Sequence, residues 1–138
     1  MKSISPDGAC AMHIFPMFQG VLVVLVWAGV LMGSKAASAA ELVMFESDTC
    51  EWCERFNAEV GPVYPNTAES KCAPLRRVDI HDPRPADLAH VKGIVYTPTF
   101  VLIEGGREIS RLTGYPGEDF FWSLLDRDLK KLRDPCPN

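Results

Sequence analysis

The chain has 138 residues, 47% hydrophobic and 23% charged, a balance that fits one globular domain. Its net charge of −4 leaves no basic footprint and argues against a nucleic-acid partner. Five cysteines in so short a chain draw attention to sulfur chemistry.

The first forty residues read differently from the rest. Lys2 gives a weakly positive start, Gly20–Met32 is apolar throughout, and Ala37-Ser38-Ala39 offers a small-x-small cleavage pattern. These features predict a secretory signal peptide over 1–39 and a folded domain over 40–138. The competing reading is an uncleaved membrane anchor. The apolar run is short of the roughly 20 residues that span a bilayer, and Pro16 and Gln19 interrupt it upstream. Removal of the leader takes Cys10 with it and leaves Cys50, Cys53, Cys72 and Cys136. An even count in an exported chain suggests two pairs.

Glu41–Glu46 is apolar at nearly every position and predicts a strand buried on both faces. Ser47-Asp48-Thr49 forms a loop ending in a residue able to cap a helix, which runs from about Cys50 to Val60 and breaks at Gly61-Pro62. A weaker helical piece is expected between Pro62 and Ser70, a strand over Leu75–Ile80, and a short helix over Ala86–Val91. Tyr96–Ile103 is strand-like despite Pro98, which cannot donate to a ladder. Gly105-Gly106 makes a tight hairpin turn and Arg107–Leu112 returns antiparallel. The last helix is expected over Glu118–Arg133, with Phe121, Leu124, Leu125, Leu129 and Leu132 on one face. Acids open it and bases close it, as the helix dipole prefers. The fold class is α/β: a four-stranded mixed sheet of two parallel strands plus a C-terminal hairpin, with helices on both faces.

The chemistry centres on Cys50-Glu51-Trp52-Cys53, set between a buried strand and a helix. A cysteine at a helix N-terminus meets unpaired N–H groups and the positive end of the dipole, which favour thiolate, the attacking species. The second cysteine lies one turn inward and can close a disulfide that releases a bound partner. The same spacing also suits half of a zinc site or a plain structural disulfide. His81 and His90 show no ligand spacing and read as surface residues, and no metal is expected.

Taken together, Cys50-x-x-Cys53 after a buried strand, Thr97-Pro98-Thr99 before the hairpin and Gly114 before the last helix resemble the thioredoxin superfamily over residues 41–133. The resemblance implies a minimal thioredoxin-like fold and a cis Thr97–Pro98 bond facing the dithiol. It implies that Thr97 offers its backbone to an extended substrate segment, a form of strand addition. Cys50-x-Trp52-Cys53-x-x-Phe56-x-x-Glu59-Val60, Gly93-x-x-x-Thr97-Pro98-Thr99-Phe100 and Arg111-Leu112-x-Gly114-Tyr115 look most like small bacterial periplasmic members, including those that accompany sulfur-oxidation systems. Such proteins act as thiol–disulfide oxidoreductases, need no cofactor beyond the redox-active disulfide, and reduce disulfides of periplasmic partner proteins. A membrane electron carrier recharges them, and a monomer is expected.

In this scheme Cys50 attacks, Cys53 resolves, Trp52, Thr97 and Pro98 meet the substrate, and Glu51 tunes the pair slightly against thiolate, towards reductant. In the resembled fold both long helices run away from the active end, so Cys72 and Cys136 should be neighbours at the far pole and form a structural disulfide. The alternative for them is a pair of free thiols. The chain also departs from the pattern. Thr49 stands where cytosolic thioredoxins carry Trp, and Met44 stands where they carry a buried acid. Glu46, Asp48 or Glu51 could replace that acid through water. A rival class is a non-catalytic binding module, a thioredoxin-like chaperone or copper-handling protein, although no Met-rich or His-rich tract supports copper.

Overall fold

A computed structural model describes residues 40–134 and Cys136. The expected signal peptide, 1–39, lies outside the described residues. Strand β1, Ala40–Glu46, runs through the middle of the sheet. Its side chains alternate between two faces and both are buried, which is why the run carries almost no polar position. Leu42 and Met44 enter one core and Val43 and Phe45 the other.

Helix α1, Glu51–Glu59, follows the loop after β1. A 3₁₀ turn at Tyr64–Asn66 and a short helix α2, Ala68–Cys72, then lead to β2, Leu75–Asp79. β2 pairs parallel to β1, with Leu75 opposite Leu42 and Asp79 opposite Glu46. β3, Thr99–Glu104, pairs antiparallel on the other side of β1, and β4, Arg107–Thr113, closes the hairpin. The resulting order is β2-β1-β3-β4. Gly105 and Gly106 both take positive φ, 64° and 67°, the backbone a two-residue hairpin turn requires and one that side chains disfavour.

Helix α3, Glu118–Leu129, packs beside α1 on one face of the sheet. Cys53 and Phe56 from α1, and Val60 just past its end, meet Phe121, Leu125 and Leu129 from α3 over Phe100 and Leu102. The Phe56 ring sits at the middle of this core, 4.9 Å from Phe100 and 5.1 Å from Phe121 between centroids. The opposite face is covered more thinly, by Leu88, Val91 and Ile94 against Val43, Phe45, Val101 and Ile103.

Four local expectations change. The helix expected over Ala86–Val91 is a 3₁₀ turn, Ala86–Leu88. Prolines at 83 and 85 delay its start, and its two anchors, Leu88 and Val91, are three residues apart, the repeat of a 3₁₀ turn. Successive i+3→i bonds, Leu88 to Pro85, Ala89 to Ala86 and Val91 to Leu88, carry it. The strand expected from Tyr96 begins at Thr99, after the proline. The last helix stops at Leu129 instead of Arg133. Lys131 and Leu132 continue in tighter i+3→i bonds, and the N–H groups of Arg133 and Asp134 turn to the buried Glu104 carboxylate at 3.0–3.3 Å. Finally, the residue that caps α1 is Cys50, not Thr49, which stays exposed.

Candidate active site

Cys50 occupies the N-cap of α1 in extended backbone, φ −95° and ψ 100°. Its Sγ accepts the Cys53 N–H at 3.0 Å, the bond that Ser or Asp oxygens usually accept at such a position. Cys50 and Cys53 are joined, with 2.06 Å between sulfurs and 5.1 Å between Cα atoms. Both are nearly covered, at 7% and 3% exposure, and Cys53 is the deeper of the two. Between them Glu51 is exposed, and Trp52 stands half out of the surface at 50%. The Arg55 guanidinium lies 5.6 Å from the centre of the Trp52 ring.

The Thr97–Pro98 bond is cis and Pro98 is buried. Two connections place it at the dithiol end of the sheet. Thr99 pairs with Phe45 near the end of β1, and the Thr97 hydroxyl is 3.4 Å from that of Ser47, in the loop leading to Cys50. Gly114 donates its N–H to the Pro98 carbonyl at 2.7 Å. Upstream, Arg111 of β4 donates to the carbonyls of Lys92 and Gly93 at 2.9 and 3.3 Å. That ties down the stretch leading to Val95 and Tyr96, which expose 72% and 69% of their surface. Both side chains are large, and they directly precede the cis Thr97–Pro98 bond. Sequence reasoning put Tyr96 inside a strand and missed both. Their adjacency to Thr97-Pro98 was the available signal.

On the Cys53 side lies an open cleft of about 240 Å³ lined by Cys53, Glu46, Ser47, Asp48, Glu54, Asn57 and Asp79. Of the three candidates for the missing acid, Glu46 and Asp48 reach this cleft and Glu51 does not. Met44 is fully buried.

Cys72 and Cys136 are also joined, with 5.0 Å between Cα atoms. Cys72 sits just before β2, whose start pairs with the start of β1, whereas the dithiol follows the end of β1. The two sulfur pairs therefore lie at opposite ends of the sheet, and a four-thiolate zinc site is not formed. Among the described residues no group of three or more His, Cys, Asp or Glu is arranged to hold a metal. His81 and His90 are exposed. Among the described residues, no helix is long and apolar enough to cross a membrane.

A thioredoxin-like domain profile matches residues 34–127. The chain is similar to the periplasmic thioredoxin SoxS of Paracoccus pantotrophus, solved in its reduced form, with 46% identity and a TM-score of 0.63 over 67% of this chain and 97% of that one. Fasciola hepatica thioredoxin aligns at 22% identity and TM-score 0.51, over 66% of this chain and 82% of that one. Malassezia sympodialis thioredoxin, Mala s 13, aligns at 20% and 0.51, over 67% and 76%. These last two show the fold alone. No curated protein sequence matches the chain.

Proposed function

The chain belongs to the thioredoxin-like family and is a thiol–disulfide oxidoreductase, and from that premise we propose that it is an exported reductase of protein disulfides. The observation that carries the reading is the Cys50–Cys53 pair at a helix N-cap, at the same sheet end as the cis Thr97–Pro98 bond. The apolar stretch Gly20–Met32 and the similarity to a periplasmic thioredoxin support export to the periplasm with removal of 1–39. The protein works as a monomer without a cofactor. Its partners are exported proteins, such as those of sulfur-oxidation systems, and a membrane electron carrier returns it to the dithiol state.

The reaction begins with the Cys50 thiolate, which the Cys53 N–H and the helix N-terminus favour. It attacks one sulfur of the partner disulfide. That S–S bond breaks, a Cys50–partner bond forms, and the departing partner thiolate takes a proton. Cys53 then loses its proton and attacks Cys50 Sγ. The Cys50–Cys53 bond forms, the second partner thiolate leaves, and two electrons have passed to the partner. The partner segment lies over Trp52, Val95 and Tyr96 and pairs with the Thr97 backbone. Glu46 takes the Cys53 proton through water in the shared cleft. Asp48 and Glu54 are exposed and Asp79 already accepts the His81 N–H at 2.7 Å, whereas Arg77 holds Glu46 in one orientation at 2.7 Å.

Reduction of insulin disulfides, run beside a copper titration and a redox titration of the dithiol, tests the reading. A reductase turns insulin over and has a potential well below the strong-oxidant value of about −120 mV. Tight copper binding without turnover would instead make the protein a binding module.

A further inference from the structure

Glu59 and Tyr115 belong to the motifs that the sequence singles out, yet the exchange chemistry uses neither. In the fold they meet across 56 residues of chain, the Tyr115 hydroxyl donating to Glu59 Oε2 at 2.7 Å. The other carboxylate oxygen accepts Arg55 Nε at 2.9 Å. Each partner leads on towards the substrate surface. The Arg55 guanidinium stands over the face of the Trp52 ring. Gly114, the residue before Tyr115, donates to the Pro98 carbonyl.

We propose that Glu59 is a positioning residue. It links Trp52 on one side to the cis Thr97–Pro98 bond on the other, the features that the reductase reading gives to the substrate, and thereby sets affinity for a protein disulfide. The turn that carries Tyr115 needs such an anchor. Gly114 and Gly117 flank it with φ of 84° and 98°, backbone states that glycine adopts freely and that fix little by themselves. Tyr115 fills the anchor role because its ring is buried edge-on to Phe56 at 5.5 Å, while its hydroxyl reaches the carboxylate. Hydrogen bonds to an ionised acceptor are shorter and stronger than neutral ones. The Tyr115 hydroxyl, followed by Arg55, holds the Glu59 carboxyl below its ordinary value and so favours the ionised acceptor. A contact surface held in its binding shape loses less freedom when substrate docks, and that gain appears in affinity.

The inference rests on the reductase reading, and the two fail differently. Steady-state reduction of insulin by the exported protein is compared for wild type, Glu59→Ala, Glu59→Gln and Tyr115→Phe. With the brace cut, Glu59→Ala raises KM about tenfold and Tyr115→Phe about fivefold, with kcat held within about twofold. Glu59→Gln keeps one oxygen for the Tyr115 hydroxyl but offers Arg55 an N–H donor in place of the second oxygen and carries no charge, so it recovers only part of the loss. The double variant Glu59→Ala/Tyr115→Phe is no worse than Glu59→Ala, because both changes cut one connection. Tyr115→Phe retains the packed ring, so it carries the test if Glu59→Ala fails to fold. An unchanged KM in folded variants overturns the brace, as does a parallel fall of kcat and melting temperature with KM constant. Failure of the wild type to reduce insulin at all would instead remove the reductase reading.

Discussion

Arg77 reaches from β2 across to β1 and donates to the Glu46 carboxylate at 2.7 Å, with the same nitrogen 3.6 Å from the Met44 sulfur. Its guanidinium also stands 5.9 Å from the centre of the Phe56 ring. A carboxylate is thus fixed at the mouth of the Cys53 cleft, two residues beyond the position where cytosolic thioredoxins bury theirs. Glu46→Gln should slow resolution of a Cys50 mixed disulfide about tenfold at neutral pH, less than the usual general-base effect because water intervenes. The initial attack by Cys50 should keep its rate. Single-turnover kinetics separate the two steps, and an unchanged resolution rate would remove Glu46 from the proton path.

Replacing Cys53 should strand the reaction halfway. Cys53→Ala leaves Cys50 able to attack and unable to be released, so partner proteins accumulate as mixed disulfides that a reducing gel dissolves. Cys50→Ser should lower insulin reduction by about a thousandfold or more, since the remaining thiol at this helix end, Cys53, is the more deeply covered and is placed to resolve rather than to attack. Adducts through Cys53 in a Cys50→Ser protein would reverse the assigned roles.

The Cys72–Cys136 bond closes a loop with a sequence separation of 64. In the chain-entropy account such a loop contributes about 4 kcal/mol to stability, less any strain. Replacing both cysteines by serine should therefore lower the melting temperature on the order of 20 °C while leaving the dithiol reactive. Peptide mapping without reductant checks the bond directly. A melting temperature that does not move would show that the tail is held by other contacts.

Asp128 is buried near the end of α3, with Lys131 at 2.6 Å and Arg127 at 3.0 Å. Burial pushes its carboxyl upward, but the hydrogen bonds from Arg127 and Lys131 outweigh it and the net shift is downward. A depressed carboxyl contributes stability that is present above its unfolded value near pH 4 and is lost as pH falls through the folded one. Asp128→Asn should cost about 0.5–1 kcal/mol at pH 7, since both cations are half exposed and screened. The difference from wild type should shrink steadily below about pH 4 in acid melts. A gap that stays constant down to pH 2 would mean that the charge contributes nothing.

Some of this architecture could be read from residues alone because it rests on local patterns. Leu42–Phe45 and Phe100–Ile103 are strands buried on both faces, and so long an apolar run has few other uses. Gly105-Gly106 announces its turn through backbone freedom. Cys50-x-x-Cys53 and Thr97-Pro98 carry the site because each has a geometry that few residues permit. What stayed hidden depends on partners distant in the chain. Glu104 looks like an ordinary strand end, and only the fold brings Arg133 and Asp134 to it. Nothing in the helix pattern ties Glu59 to Tyr115 until the chain folds. Thr49 has the better capping side chain, but the disulfide requires Cys50 at that turn, and covalent geometry overrides propensity there.

The separation of the two sulfur pairs along β1 bears on how the protein must be made. Turnover opens and recloses a bond at one extremity while the clasp at the other holds the scaffold, so every catalytic cycle runs on an unaltered frame. A cell compartment that keeps thiols reduced would strip away both bonds together. Material produced there should emerge chemically armed yet mechanically loosened, and only reoxidation would restore its rigidity.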